Sequence, residues 1–594
     1  MTIRGFRRIR EAQVSFGDAT FLIGPNNVGK SSILKALHYV LSAEPRIAST
    51  DFYAETDPAT GKPQPVLDEA SIEVEIRNVP EEANEWRGFK GRIFEYDTAE
   101  TDESGLCIFY RKTFHFSKKA EVELKSCKRI LKPEFAELKK PSEFVAAGAP
   151  EAIVQELFGD LEKNISKPNL AKLNDINDLW DVTNEEEWFQ NPGGIPGVVL
   201  ARLPRVLIIP AEIEANEIHG DKKGVLSDTL SELFEEVRDV SENYKNAQKH
   251  LDLLAKELDP EDADSEFGKM LGELNHILDG VFPDSTIHAT ADLSDPNKAL
   301  KPSFNVELSS NVRTPIQNQG TGMIRSAVFG ILRYRQQWLE RKQEEHARSL
   351  IIGFEEPEIY LHPSAANQMR DTLYDLSRSD AQIVCTTHSP YMIDLSRKPR
   401  QVLNRMICED SGIRVKDFTT SDAFRDLIND DKSYVKMLMK MDDYLSRVFF
   451  TKNVLIVEGD TEDIVLRESI ARLPKDKYLR LIADWEIVKA RGKATIISLS
   501  KYLVSMGITP TIMHDLDSNT PGAVVFNQPI QDAANGGTIV TLSNCIEDVL
   551  SYAPPSANKP HKAYKETQSW GKSWEDIPAA WRQKLKDIFG DYVP

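Results

Sequence analysis

Apolar and polar positions divide the chain into stretches of different rhythm. At the start a polar–apolar alternation (MTIRGFRRIREAQVSF) leads into the short apolar strand Thr20-Phe21-Leu22-Ile23. A glycine-containing loop follows, and then Ile33, Leu34, Leu37, Val40 and Leu41 recur on one face of a predicted helix. Matching runs return only after residue 300, where Ser349-Leu350-Ile351-Ile352-Gly353-Phe354 and Gln382-Ile383-Val384-Cys385 read as buried strands. Near residue 450 the pattern changes again: Asn453–Val457, Thr509–Met513 and Thr538–Leu542 read as strands and Thr461–Ala471 as a helix. Strands alternating with helices predict a second α/β domain. Pro554, Pro555 and Pro560 predict an irregular tail.

The intervening stretch looks like an insertion. Leu226, Leu230, Leu233, Val237, Val240, Tyr244, Ala247, Leu251, Leu254 and Leu258 advance by four and three residues until Asp259-Pro260. This 3.5-residue repeat favours a supercoiled helix about 50 Å long. It suits an internal helical bundle or a self-association arm. The boundaries drawn from these changes are 1–160, 161–300 (helical insertion), 301–445 and 446–594.

Composition narrows the class. A chain of 594 residues with 41% hydrophobic and 28% charged residues is globular and too long for one core. The best apolar run, GVVLARLPRVLIIPA, is interrupted by Arg202 and Arg205, and no secretory signal precedes it, so a cytoplasmic protein with no membrane segment is expected. Cys107, Cys127, Cys385, Cys408 and Cys545 contain no CxxC pair, which disfavours a disulfide scaffold or a cysteine zinc site. The net charge of −20 argues against a general DNA coat. It is compatible with a DNA enzyme whose carboxylates gather around cations. Arg4, Arg7, Arg8 and Arg10, and Lys118, Lys119, Lys125, Lys128 and Arg129, are basic runs that could meet phosphates or simply be solvated.

Two constellations carry chemistry. Gly24-Pro25-Asn26-Asn27-Val28-Gly29-Lys30-Ser31 fits GxxxxGK[ST] between a predicted strand and a predicted helix. Backbone N–H groups of Asn26, Asn27, Gly29 and Ser32 would curl round phosphate oxygens, Lys30 would reach the β/γ-phosphates, and Ser31 would hold Mg²⁺ of an ATP complex. The strand ending at Phe354 delivers Glu355, to orient Mg²⁺, and Glu356, to polarise water as general base. His388 in Thr386-Thr387-His388-Ser389-Pro390 is suited to sensing the γ-phosphate. GPNNVGKSS, FEEPEIYLHP and TTHSP together resemble an ABC-type ATPase of the RecF/SMC kind. The resemblance implies dimerisation over ATP through a signature loop. Gln319-Gly320-Thr321-Gly322 is the candidate for that loop, departing from the usual Leu-Ser-Gly-Gly-Gln.

The second constellation is acidic. Glu458 and Glu462 flank a glycine turn after the Asn453–Val457 strand, and His514-Asp515-Leu516-Asp517 follows Thr509–Met513. Strand alternation would send Asp515 and Asp517 to one side, and Glu547-Asp548 supplies a third carboxylate pair. Carboxylates converging at strand ends need cations, and hard oxygen ligands suit Mg²⁺ or Mn²⁺. The strand-end Glu with a later Asp-x-Asp resembles the Toprim domain of topoisomerases, primases and related nucleases. Lys493 in Arg491-Gly492-Lys493, where relatives often have Gly-Gly-Lys, and Lys562 in the tail are candidates to counter transition-state charge.

The whole order is similar to the OLD family of nucleases, a group that includes the GajA-type subunit of Gabija phage-defence systems. The implied fold class is α/β: an ABC-type ATPase domain with an inserted helical dimerisation region, followed by a C-terminal Toprim domain. The resemblance implies a metal-dependent DNA endonuclease or nickase regulated by ATP, with metal ligands at Glu458, Glu462, Asp515, Asp517 and Glu547. It also implies a homodimer or higher homo-oligomer, and admits a UvrD-like helicase partner. The other reading is a RecF/SMC-like DNA clamp or nucleotide sensor that does not cut.

Overall fold

All five positions of the Ala19–Ile23 strand are buried, because both of its sheet neighbours and both sheet faces are covered. In the computed structural model it is central to a six-stranded sheet ordered Arg205–Ile209, Leu350–Glu355, Ala381–Thr386, Ala19–Ile23, Gln401–Glu409, Gly412–Thr419. Every pairing is parallel except the last, which forms an antiparallel edge. The structure describes most of 1–211 and 349–594, apart from stretches such as 57–61, 99–102, 166–171, 193–198 and 442–444 and some single residues; of 212–348 it describes only scattered groups. Contacts divide the chain into two units, 1–211 with 348–594, and 212–347.

A second, antiparallel sheet contains Thr2–Phe6, Ile9–Gln13, Glu69–Arg77, Phe94–Thr98, Glu103–His115, Glu121–Leu131 and Trp180–Gln190. The Lys30–Leu41 helix lies in one core with both sheets: Ile33, Leu34, Leu37 and Val40 cluster with Ile3, Phe6, Tyr110 and Phe114 on one side and with Leu22, Ile351 and Val384 on the other. Burial therefore covers more of this helix than the single face read from periodicity. Two strands, Trp180–Gln190 and Arg205–Ile209, fall inside the range 161–300 drawn as a helical insertion, and they belong to the two sheets. Of the heptad positions, Tyr244 and Ala247 are helical; the others lie outside the described residues.

The C-terminal part has a four-stranded parallel sheet ordered Trp485–Lys489, Asn453–Val457, Thr511–Asp515, Ile539–Leu542. The chain order reverses between the Asn453–Val457 and Thr511–Asp515 strands. That is the switch point where open α/β sheets form a crevice at the strand C-termini. The tail is more regular than its prolines suggest. Pro560 occupies the first turn of the Lys559–Gln568 helix, where proline's missing N–H costs nothing, and Ala579–Phe589 is a second helix. Trp574, Trp581, Leu585 and Phe589 are buried in the same core as Leu455, Leu466 and Met513.

The Lys493–Ser505 helix also meets the ATPase side of this unit. Asp431, on the Asn429–Met441 helix, accepts hydrogen bonds from Ser498 (2.6 Å) and Lys501 (2.7 Å). Lys416, on the antiparallel edge strand, donates to the Gly507 carbonyl at 2.7 Å, and Phe424 packs on Tyr502 at 4.8 Å between ring centroids. Among the described residues, no helix is long and apolar enough to cross a membrane.

Candidate active sites

The glycine loop leaves the central strand and turns directly into a helix. Gly24 has φ 143°, and a Cβ there would stand 2.5 Å from the Met406 carbonyl oxygen; Gly29, at φ 96°, sits at the helix N-terminus. Asn27 is left-handed as well, at φ 61°, and Arg8 donates to its carbonyl at 3.1 Å. Asn26, Asn27 and Ser31 are exposed at the loop, while Ser32 is buried. The Lys30 ammonium donates to the Gly24 and Pro25 carbonyls at 2.9 and 2.8 Å and lies 2.8 Å from His388 Nε2. Since an ammonium only donates, Nε2 must be the unprotonated, accepting nitrogen. Burial pulls the Lys30 ammonium down to about 8, against the opposing pull of Glu356 and Glu358. The His388 imidazole is lowered by burial and then by Lys30.

Glu355 ends its strand and accepts from the Ala211 N–H at 3.4 Å. Glu356 adopts φ 41°, and its carboxylate lies 3.5 Å from His388 Nε2. The left-handed turn separates the directions of the two adjacent acids. A third acid in the same FEEPEIYLHP segment, Glu358, escaped the sequence reading. It accepts from the Thr387 hydroxyl at 2.5 Å and from the His388 N–H at 3.2 Å, which fixes the His388 loop beside Lys30. Of the candidate signature loop, Gln319 and Gly320 lie outside the described residues; Gly322 is helical.

At the second site the strand ends bring the acids together. Glu458 follows Val457, Asp515 ends the adjacent strand, and Glu547 lies in the short Ile546–Val549 helix after the next one. Glu462, in the first turn of Asp460–Ile470, turns one oxygen back to the Gly459 N–H at 2.8 Å. The alternation expected for Asp515 and Asp517 does not hold. The strand stops at Asp515, and Asp517 sits in a left-handed turn (φ 48°) with its N–H bonded to the Asn544 carbonyl. Its carboxylate meets the Lys493 ammonium at 2.8 Å. Glu547 is 1% exposed, whereas its neighbour Asp548 is exposed.

These acids repel one another. Burial first, then Glu462, pushes the Glu458 carboxyl up to about 7. Burial, then Glu462 and Glu458, pushes Asp515 up to about 8, and Glu462 is raised as well, mainly by burial. One oxygen each of Glu458, Asp515 and Glu547 is buried without a hydrogen-bond partner. Orphaned carboxylate oxygens on acids whose charges reach one another suit hard divalent cations. Among the described residues, no three His, Cys, Asp or Glu side chains are drawn in as tightly as a closed metal site requires.

Lys493 pairs with Asp517, and the exposed Lys562 lays its ammonium over the Tyr552 ring, 6.0 Å from the centroid, a tyrosine at which the charges of Glu547 and Glu462 are felt. Lys559, at the start of the same helix, is the lysine whose charge is felt at Glu462. Sequence reading also passed over Asn527, which accepts from Lys493 at 3.1 Å; a separation of 34 positions leaves no spacing signal. Among the basic runs, Lys118, Lys125 and Lys128 are paired with Glu121, Glu186 and Glu185.

Residues 1–393 match the AAA ATPase domain family, and residues 449–517 match the TOPRIM domain of overcoming lysogenization defect protein-like proteins. The chain is 23% identical over 526 residues to a protein of Escherichia phage P2 named Old nuclease, covering 87% of this chain and 76% of that one. It is also 23% identical over 357 residues to an OLD nuclease of Thermus scotoductus, covering 57% of this chain and 62% of the relative. Among solved structures, an Smc head bound to the C-terminal winged-helix domain of ScpA aligns with 71% of this chain and 98% of its own, at 13% identity and a TM-score of 0.33. The chain belongs to the AAA ATPase domain family and, with a TOPRIM domain behind that ATPase domain, has the organisation of the OLD nucleases.

Proposed function

We propose that this chain is a Mg²⁺- or Mn²⁺-dependent DNA endonuclease or nickase whose Toprim site is regulated by its ATPase domain. The observation that carries the reading is the switch-point cluster, in which buried, partnerless oxygens of Glu458, Asp515 and Glu547 converge beside the Lys493–Asp517 pair. A site that only bound DNA would have no need of concentrated negative charge facing a polyanion. Glu458, Asp515 and Glu547, with Glu462 and Asp517, would hold the ions. When bound, such ions supply an activated water and charge stabilisation for the leaving oxygen of a phosphodiester. Lys493 contributes positive charge to the substrate phosphate, and Asp517 keeps that ammonium in place.

At the other site, Lys30 and the loop N–H groups hold the triphosphate, Ser31 and Glu355 take its Mg²⁺, and Glu356 polarises water while His388 senses the γ-phosphate. The chain acts in the cytoplasm in phage defence or DNA processing. It assembles as a homodimer or higher homo-oligomer, with a UvrD-like helicase as a partner in some settings.

The test uses the full chain on supercoiled plasmid with Mg²⁺ or Mn²⁺, with and without ATP, beside Asp515→Ala. Wild type is expected to nick or linearise the plasmid, and the variant to cut more slowly by about a hundredfold or more. Equal cutting by both proteins removes the Toprim site from the reaction. Failure of wild type under every metal and nucleotide condition transfers the reading to a DNA clamp or nucleotide sensor.

A further inference from the structure

We propose that Asn527 is a positioning residue of the Toprim site, holding the Lys493 ammonium so that one N–H points at a phosphodiester oxygen. The proposal rests on the nuclease reading above and extends it to a residue outside the acidic cluster.

Lys493 opens the Lys493–Ser505 helix, and its side chain is only 4% exposed. Burial restricts the lysine stem, and bonds to the ammonium from more than one partner set the direction of its N–H groups. Here one N–H donates to Asp517 at 2.8 Å and a second to Asn527 Oδ1 at 3.1 Å. An ammonium has three donors, so these two bonds fix the direction of the third.

The other end of the Asn527 amide donates from Nδ2 to the Leu516 carbonyl at 2.9 Å. This settles the amide orientation, because turning it over would press an NH₂ group against the ammonium and a carbonyl against a carbonyl. Leu516 stands between Asp515 and Asp517. One side chain therefore ties the turn carrying both aspartates to the cation that serves them. Asn527 is itself placed by the Asn527–Ala533 helix, which packs along the Lys493–Ser505 helix. An alanine there leaves Lys493 one tether, and the ammonium is free to swing about Asp517.

The experiment has two arms on the full chain, with wild type, Asn527→Ala and Asn527→Asp. In the first, the rate at which an amine-acetylating reagent modifies Lys493 is followed by mass spectrometry without DNA. Asn527→Ala is expected to raise that rate by about threefold or more. Asn527→Asp keeps an oxygen facing the ammonium but loses the Nδ2 bond to the Leu516 carbonyl, and is expected to raise the rate less than Asn527→Ala does. An unchanged rate in Asn527→Ala overturns the proposal.

The second arm measures Mn²⁺-dependent plasmid nicking. Asn527→Ala is expected to lower kcat about tenfold with KM changed by less than about twofold, and Asn527→Asp to recover part of the loss. A raised KM with unaltered kcat assigns Asn527 to DNA binding and overturns the proposal. If wild type does not cut, the nuclease reading fails and the catalytic role of Asn527 fails with it. The acetylation arm then still reports separately whether Asn527 holds Lys493.

Discussion

At the scale of single residues, both sites depend on where one lysine is held. Lys30 has its charge weakened by burial, to about 8 from an ordinary 10.5. A triphosphate binds the protonated form, so above pH 8 binding must be accompanied by proton uptake. Nucleotide affinity is therefore expected to fall as pH rises above about 8, by at most about tenfold per unit. Lys30→Arg stays charged throughout and is expected to show no such slope. A fluorescent-nucleotide titration between about pH 7 and about pH 9.5 checks both; a flat wild-type profile contradicts the account. Candidate residues tied to a local motif were legible in the sequence: Lys30 and Glu356 sit in contiguous segments, Glu458 follows an apolar strand and Asp515 ends one. Glu358 was within reach because it shares the FEEPEIYLHP segment. Asn527 was not, since the fold alone brings it to Lys493.

At the scale of elements, apolar runs found the strands because both faces of a parallel strand are covered, leaving no alternation to confuse the pattern. The tail was misread for a local reason. Prolines terminate helices in general, yet Pro560 stands where a helix starts. The terminal helices do more than close the sheet. Trp581 is fully buried and donates from its indole N–H to the Ser469 hydroxyl at 2.8 Å, on the helix that begins just after Glu458. Trp581→Ala is expected to cost about 3–5 kcal/mol through the cavity it leaves. Trp581→Phe should cost less, since most of the ring volume is kept. Urea denaturation of the two variants measures the difference; similar losses would locate the effect in the hydrogen bond instead of the packing.

At the scale of the whole described unit, the two catalytic regions share structure. Asp431 is buried and bonded to Ser498 and Lys501, so it joins the Asn429–Met441 helix, which follows the six-stranded sheet in the chain, to the helix that begins with Lys493. Asp431→Ala removes both bonds, but Ser498 keeps the Ala494 carbonyl and the half-exposed Lys501 reaches water, so the expected cost is about 1 kcal/mol. Calorimetry should show the ATPase and Toprim signals of the wild-type chain melting together, with the variant shifted to lower temperature. Two separate wild-type transitions assigned to these parts would show that the shared helix does not couple them. Sequence patterns gave no hint of this junction, because its polar contacts use residue types that are ordinary on a solvated helix face.

The central position of the Ala19–Ile23 strand has a consequence for synthesis. Its two neighbours, Ala381–Thr386 and Gln401–Glu409, lie in the second half of the chain, and the Gly17–Gln382 bond alone spans 365 residues. At about 5–20 residues per second, a ribosome needs about 20–70 s to make that span. Throughout that interval the strand leading to the phosphate loop has neither sheet partner, and its apolar side chains await elements still inside the translation machinery. The strand that leads to the nucleotide site is made well before the strands that flank it in the sheet. The emerging chain thus carries an apolar strand with open edges until those neighbours arrive, the kind of exposure that favours aggregation.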